Sequence, residues 1–214
     1  MLNMRKMKVT NFIVETVDRK VIQSFIHKWH YSHDTNGIQQ KQCFALFNDN
    51  RMIGAMIYAI PSMKSTAAKY NPDNPDRCWE LRRLCCIDDT PTNTESYFIS
   101  QTLKWLRQNT DVEVVVSYAD LEQGHEGVIY KASNFHLIGQ SGGGKNLIVD
   151  GKKFHARSLG QKIKPYGREL KRRWDNKDGH QWWDSKEENM HFVKTKPKNI
   201  YVYYLSKKAK KKYL

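Results

Sequence analysis

No run of apolar residues in this chain approaches the roughly 20 needed to cross a bilayer, and Met1 to Asn11 has no apolar stretch of the secretory kind. An intracellular, cytoplasmic protein without a membrane partner is expected. Cysteine is scarce as well. Cys43, Cys78, Cys85 and Cys86 show no C-x-x-C spacing, which argues against a zinc site and leaves reduced, partly buried thiols. A Walker phosphate loop is also missing. Gly139-Gln-Ser-Gly-Gly-Gly-Lys145 lacks the spacing and is not followed by Ser or Thr, so it reads as a flexible turn. Acidic residues run short in one region only: residues 152–214 hold 19 Lys and Arg against 6 Asp and Glu, whereas residues 1–151 hold 17 against 16.

The C-terminal cations are interleaved with Phe154, Tyr166, Trp174, Trp182, Trp183, Phe192, Tyr201, Tyr203 and Tyr204. Positive charge mixed with flat rings suits a polyanion with bases. Double-stranded DNA is the expected partner, with Arg157, Arg168, Lys171, Arg172 and Arg173 as candidate phosphate contacts. The closing Lys207-Lys-Ala-Lys-Lys-Lys-Tyr-Leu214 is either a further contact or a solvated tail. With 39% hydrophobic and 12% aromatic residues, 214 residues suffice for a real core. The charge boundary divides the chain into a core over residues 1–150 and a basic, aromatic-rich part over 151–214.

Residues 15–30 place Val17, Val21, Phe25 and Trp29 at i+4 spacing behind Thr16 as candidate N-cap, which predicts an amphipathic helix. That helix delivers His30, Tyr31, Ser32 and His33 to its C-terminal end. Residues 42–47 and 51–60 predict two strands joined by the turn Asn48-Asp-Asn50, and 61–76 reads as loop. Residues 79–87 alternate like a strand with Glu80 and Arg82 on one face, either an internal ion pair or substrate-positioning groups. Thr92-Asn-Thr-Glu95 has the form of a capping box before a helix whose Phe98, Ile99, Thr102, Leu103 and Leu106 share a face. Val112 and Val114 to Val116 predict a buried strand. The order strand, helix, strand, helix requires neighbouring, nearly parallel strands. Residues 136–139, 146–149 and 201–205 are expected to close the sheet, and a helix is expected near 165–174.

After the valines the residues change to Ser117, Tyr118, Asp120, Gln123, Gly124 and His125, which places polar chemistry at a strand's carboxyl end. Ligands in α/β folds favour such exits. An ordinary capping turn has the same composition.

The order of elements is similar to the N-acetyltransferase (GNAT) fold: α/β (α+β), with a mixed central sheet, two splayed strands and flanking helices. Trp29-His-Tyr-Ser32, Leu81-Arg-Arg-Leu84 with Pro91-x-Asn93-x-x-Ser96, and Ser117-Tyr-Ala-Asp120 with Gln123-Gly-His-x-Gly-x-Ile-Tyr130 resemble the Mom DNA-modification proteins of Mu-like bacteriophages. The likeness runs over about residues 15–160 and resumes at Lys198-Asn-Ile-Tyr-Val-Tyr-Tyr-Leu205. Proteins of that family convert adenines of phage DNA to a carbamoylmethyl derivative on the exocyclic amine, which protects the DNA from host restriction. The resemblance therefore implies a DNA-hypermodifying enzyme. The alternatives are a GNAT acyltransferase with another acceptor (tRNA, protein or amine) and a non-catalytic DNA-binding anti-restriction protein.

The same resemblance implies acetyl-coenzyme A and iron as cofactors. His30, Tyr31 and Asp120 are its implied metal ligands, an oxygen and nitrogen set compatible with non-haem iron. Tyr31, Asp120, Ser117 and Tyr130 are the implied catalytic residues, Tyr130 serving a thiolate or simply packing in the core. The Gly-rich turn that usually cradles the coenzyme's pyrophosphate is missing. Asn93, Thr94 and Ser96, together with Arg83, are the candidate anion ligands in its place, opposed by Asp88, Asp89 and Glu95.

Overall fold

The computed structural model describes residues 8–155 and 190–213. Two compact units divide the chain. The first takes the chain up to Ala119, then His125–Gly139 and Asn199–Leu214; the second takes Asp120–Gly124 and Gln140–Lys198. The division is thus not a single cut near residue 150, because the last strand joins the first unit.

The main sheet has seven strands in the order β1-β2-β3-β4-β5-β10-β6. β1 (Phe12–Thr16), β2 (Gln40–Asn48), β3 (Arg51–Ala59) and β4 (Cys78–Cys86) form an antiparallel run. The β2–β3 turn places Asp49 in the left-handed region at φ 52, a conformation that Asp tolerates better than most residues. β1, a short edge strand, ends at Thr16, so the first helix begins later than the apolar spacing suggests. α1 (Arg19–Trp29) is capped by Asp18, whose side chain accepts from Lys20 N at 2.9 Å. Its buried stripe is Ile22, Phe25 and Ile26, and Val21 and Trp29 are exposed.

The segment read as a loop contains a short helix, α2 (Lys64–Tyr70), which buries Thr66, Ala67 and Tyr70. α3 (Thr94–Asn109) buries the predicted Phe98, Ile99, Thr102, Leu103 and Leu106. Its N-cap is Asn93, in the left-handed region at φ 72 and without a side-chain capping bond. The capping box of Thr92 and Glu95 is absent because the N-cap falls one residue later, on Asn93, and Thr94 Oγ1 and Ser96 Oγ donate to the Pro91 and Asn93 carbonyls, at 2.7 and 3.0 Å. β5 (Val114–Asp120), α4 (Val128–Ala132) and β6 (His136–Gln140) follow. β10 (Lys198–Tyr204) then inserts between β5 and β6, and α5 (Lys207–Tyr213) follows it. Among the described residues no helix is long and apolar enough to cross a membrane.

Alternation sorts the two faces of the sheet. Cys78, Val114, Val116, Ile200, Val202 and Tyr204 pack with Ala67 and Tyr70 of α2 and Ala209 of α5. Leu81, Val115, Ala119 and Tyr201 join the larger core with α3, Tyr130 and Phe135.

β4 and β5 are parallel, as expected, but pair at only three positions: Cys78 with Val114, Trp79 with Val115 and Glu80 with Val116. Beyond Leu81 and Ser117 the strands run on unpaired, so the sheet forks. β4 also carries a bulge. Ile57 faces Arg83 and Tyr58 faces Leu81, leaving Arg82 without a partner on β3.

The second unit holds an antiparallel sheet in the order β8-β7-β9, formed by β7 (Lys145–Val149), β8 (Lys152–His155) and β9 (Met190–Lys194). The strand expected at 146–149 therefore does not close the main sheet. Leu147 and Val149 are buried there with Phe154 and Phe192 against them. The expected helix at 165–174 lies outside the described residues.

Phe98 is fully buried in the main core. Its truncation to Ala is expected to cost about 3–5 kcal/mol, to be read from urea denaturation midpoints; a loss under about 1 kcal/mol contradicts this packing.

Candidate functional site

The loop after α1 is built around His30. Its amide closes the helix on the Ile26 carbonyl at 3.0 Å, and its ring is buried. The Ser32 amide donates to His30 Nδ1 at 3.0 Å, and Ser32 Oγ lies 2.8 Å from the same nitrogen. A ring nitrogen that accepts from a peptide N–H carries no proton, so neutral His30 holds its proton on Nε2. Burial foremost, then the charges of Arg83, His125 and His33, pull its pKa down to about 4. The ring is a neutral Nε2–H donor at physiological pH. Tyr31 stacks on it with centroids 4.3 Å and planes 30° apart, and His125 meets Tyr31 at 5.5 Å and 72°.

Arg83 reaches the same loop from β4. Its Nε donates to the Asp34 carbonyl at 3.0 Å and its Nη1 to the Arg82 carbonyl at 2.9 Å. Burial lowers its pKa from the usual arginine value, yet a guanidinium keeps its proton. Arg82, the bulged residue, has a different fate. Its Nη1 contacts Glu80 Oε1 at 2.7 Å, and the Ser62 amide donates to Glu80 Oε2 at 3.1 Å. Both oxygens of this buried carboxylate are engaged, so the ion-pair reading of Glu80 and Arg82 holds.

At the fork, Ser117 Oγ donates to the Leu81 carbonyl at 3.1 Å. The hydroxyl thereby holds the two strands where their ladder ends. Ser117 also acts on Tyr130, from α4, where it favours the ionised phenol. Burial pushes Tyr130 up to about 12 despite it. Tyr130 also packs on Phe135 and Tyr201, so it is both a core ring and a retained proton.

Asp120 falls in the second unit. Its Oδ1 accepts from Glu122 N at 3.1 Å and its Oδ2 meets Lys198 Nζ at 2.7 Å. The implied iron ligands therefore do not form a fitting set: Asp120 is held by an ammonium, and His30 has its ring proton on the nitrogen a metal would need. Among the described residues no three His, Cys, Asp or Glu side chains gather as a metal site. The implied coenzyme seat also changes. With the Thr94 and Ser96 hydroxyls donating to local carbonyls, Asn93 and the backbone amides are what remain at that end of α3, beside Glu95 in its first turn.

Arg157, Arg168, Lys171, Arg172 and Arg173 lie outside the described residues. Of the C-terminal rings that are described, Tyr201 and Tyr204 are buried, Tyr203 is half-buried, and Phe154 and Phe192 pack on Leu147 and Val149. They serve cores and are not stacking surfaces. His125 was named in the sequence only as part of the polar strand exit and given no role of its own. Its signal was the flanking pair Gly124 and Gly127, both at positive φ.

A mixed sheet that forks between two parallel strands places the protein in the class of GNAT-like folds. Two solved structures share the fold at TM-score 0.50. A mutant spermidine N-acetyltransferase from Vibrio cholerae is 9% identical, with 92% of this chain and 96% of that chain covered. An IAA acetyltransferase from Bacillus cereus ATCC 14579 is 6% identical, with 90% and 99% covered. Within that class the chain belongs to the Mom protein family, whose profile matches residues 11–214. The methylcarbamoylase mom of Escherichia phage Mu is 31% identical over 128 residues, 59% of this chain and 53% of that protein. The chain thus spans about half the length of this relative.

Unfolded histidine titrates near 6.5 and His30 near 4. Between these values the unfolded chain binds a proton that the native state rejects, so His30 favours folding above pH 6.5 and that contribution is lost as pH falls toward 4. The loss is about 3 kcal/mol at most. Urea midpoints measured across pH 7.5 to 4.5 should fall more steeply for the native chain than for His30→Gln; parallel curves would contradict the buried neutral ring.

Proposed function

We propose that this chain modifies adenine in DNA, placing a carbamoylmethyl group on the exocyclic amine and so shielding phage DNA from restriction. The observation that carries this reading is membership of the Mom family over residues 11–214. The relative from phage Mu, named a methylcarbamoylase, supports the choice of group.

The residues at the fork suit a group that contains a carbonyl. Arg83, His30 Nε2–H and the Tyr130 phenol are donors of the kind that stabilise negative charge developing on oxygen. Tyr130 keeps its proton at neutral pH, so its role is to deliver a proton to a departing group, not to take one from the amine. The splayed strands suit the acyl arm of acetyl-coenzyme A, the cofactor that the fold class favours. Simple acetyl transfer would join the amine to the carbonyl carbon, so the carbamoylmethyl product also requires a bond to the methyl carbon and a separate source of the amide nitrogen. The occupied hydroxyls of Thr94 and Ser96, with carboxylates at Asp88, Asp89 and Glu95, do not suit the coenzyme's pyrophosphate.

A base stacked in a duplex is out of reach of such a cleft, and extruding it costs a few kcal/mol. The basic C-terminal third supplies phosphate contacts that offset the cost. Duplex DNA binding is therefore expected to weaken tenfold or more between about 50 and 200 mM salt; an affinity indifferent to salt excludes a phosphate-contacting surface.

Mass spectrometry of nucleosides from bacterial plasmid DNA, after expression of this chain, tests the activity. A deoxyadenosine of carbamoylmethyl mass is expected, reduced roughly 100-fold or more by Tyr130→Phe. Unmodified DNA beside well-folded protein would favour an acyltransferase with another acceptor, such as tRNA, protein or an amine. Acetyl-coenzyme A turnover would then separate it from a non-catalytic anti-restriction protein.

A further inference from the structure

Among the described residues the C-terminal rings are committed to cores, which leaves open where this chain holds a flat base. Tyr31 is 43% exposed, the largest exposure of any residue in the donor cluster that has a ring of this size. A singly exposed ring is ordinary, but three further features set this one apart.

The first is its backing. His30 lies against Tyr31 at 4.3 Å and 30°, is itself buried, and has its orientation fixed by the Ser32 amide. Tyr31 thus rests on a rigid wall. The second is the corner. His125, exposed, stands at 72° to the Tyr31 plane, so the two rings form an open angle with one side flat and the other upright.

The third is the framework that holds His125. The neighbouring Glu126 carbonyl accepts from Tyr201 Oη at 2.7 Å and from Asn199 Nδ2 at 3.3 Å. Gly127 has φ +88, and a Cβ there would lie 2.2 Å from the Tyr201 ring. Only glycine lets the loop approach the sheet this closely. An exposed histidine is therefore carried on backbone anchored to a buried strand. A solvent loop with no role for its side chain has no need of such anchoring. Arg83 grips the loop that carries Tyr31 through the Asp34 carbonyl at 3.0 Å, which puts the corner beside that donor.

We propose that Tyr31 and His125 form a stacking seat for a nucleobase, with Tyr31 the platform, His30 its support and His125 the upright wall. The inference rests on the DNA reading above and specifies how that same site holds its base. It assigns the Tyr31 ring, and not its hydroxyl, as the part that binds.

The test uses the full chain and two fluorescent single strands made of abasic spacers, one carrying a single adenine and one carrying none. Base stacking on an aromatic side chain predicts that the adenine strand binds roughly 5- to 150-fold more tightly. Tyr31→Phe and Tyr31→Trp should keep that preference. Tyr31→Ala should abolish it without altering the salt dependence of binding, and His125→Ala should reduce it while His125→Phe restores it. Because both side chains are exposed, thermal melting should be unchanged in every variant. A preference that survives Tyr31→Ala, or that Tyr31→Phe removes as fully as Tyr31→Ala does, overturns the seat. If the wild-type chain makes no modified deoxyadenosine but its adenine preference follows the ring at position 31, the modification reading fails and the seat stands. Modified deoxyadenosine without any ring-dependent preference defeats the seat alone.

Discussion

Three backbone pairs between β4 and β5 set the geometry on which the rest of the site depends. Had the ladder continued, the Leu81 carbonyl would have faced a peptide N–H of β5. Instead it accepts the Ser117 hydroxyl, a side chain standing in for the missing backbone partner at the point where the strands part. A buried carbonyl left unmatched costs about 1–3 kcal/mol, so this one serine makes the fork tolerable. The same serine also acts on Tyr130, so the feature that divides the sheet bears on the phenol beside the division.

The bulge in β4 has an equally local cause and an equally specific effect. Adjacent arginines on a regular strand point to opposite faces, but here the extra residue sends Arg82 to the Glu80 carboxylate and leaves Arg83 on the carbonyls of Asp34 and of Arg82 itself. One guanidinium neutralises a buried acid. The other, among the described residues, has hydrogen-bond partners but no ion pair, so its charge acts on its surroundings. The depressed basicity of His30 is in part a measure of that charge. Arg-Arg in the sequence is therefore a pair with two roles, one structural and one electrostatic.

Elements with long, regular apolar patterns were legible in the sequence. The hairpin, the strand before the fork and the inner face of α3 follow from periods of two and 3.6 residues. α2 was hidden because Lys64-Ser-Thr-Ala-Ala-Lys-Tyr70 buries only small or polar residues and one tyrosine, too faint a stripe to stand out from a loop. β1 was absorbed into the helix that follows it, since Thr16 and Asp18 are both acceptable caps and only the backbone conformation decides between them. At the site, the fork residues Ser117 and Tyr130 and the loop residues His30 and Tyr31 were visible through motif resemblance. The tautomer of His30, the engagement of Asp120 by Lys198 and the corner made by His125 were not. Each depends on which partner a side chain meets across the fold, and spacing along the chain does not encode that. The charge step near residue 151 misled in one respect, because β10 carries its aromatic residues into the main core and not onto a nucleic-acid surface.

That last strand has a consequence for how the protein comes to be. β10 lies between β5 and β6, whose partner chains are complete some sixty residues before it is made. At about 5–20 residues per second of synthesis, β5 waits several seconds with a bare, valine-rich edge of the kind that invites pairing with other chains. The central sheet closes only when β10 arrives, threaded between two strands already in place. Nascent chains of this protein are thus exposed to aggregation until β10 is made, and the fork, whose Gly127 loop rests on Tyr201, cannot assemble before that strand.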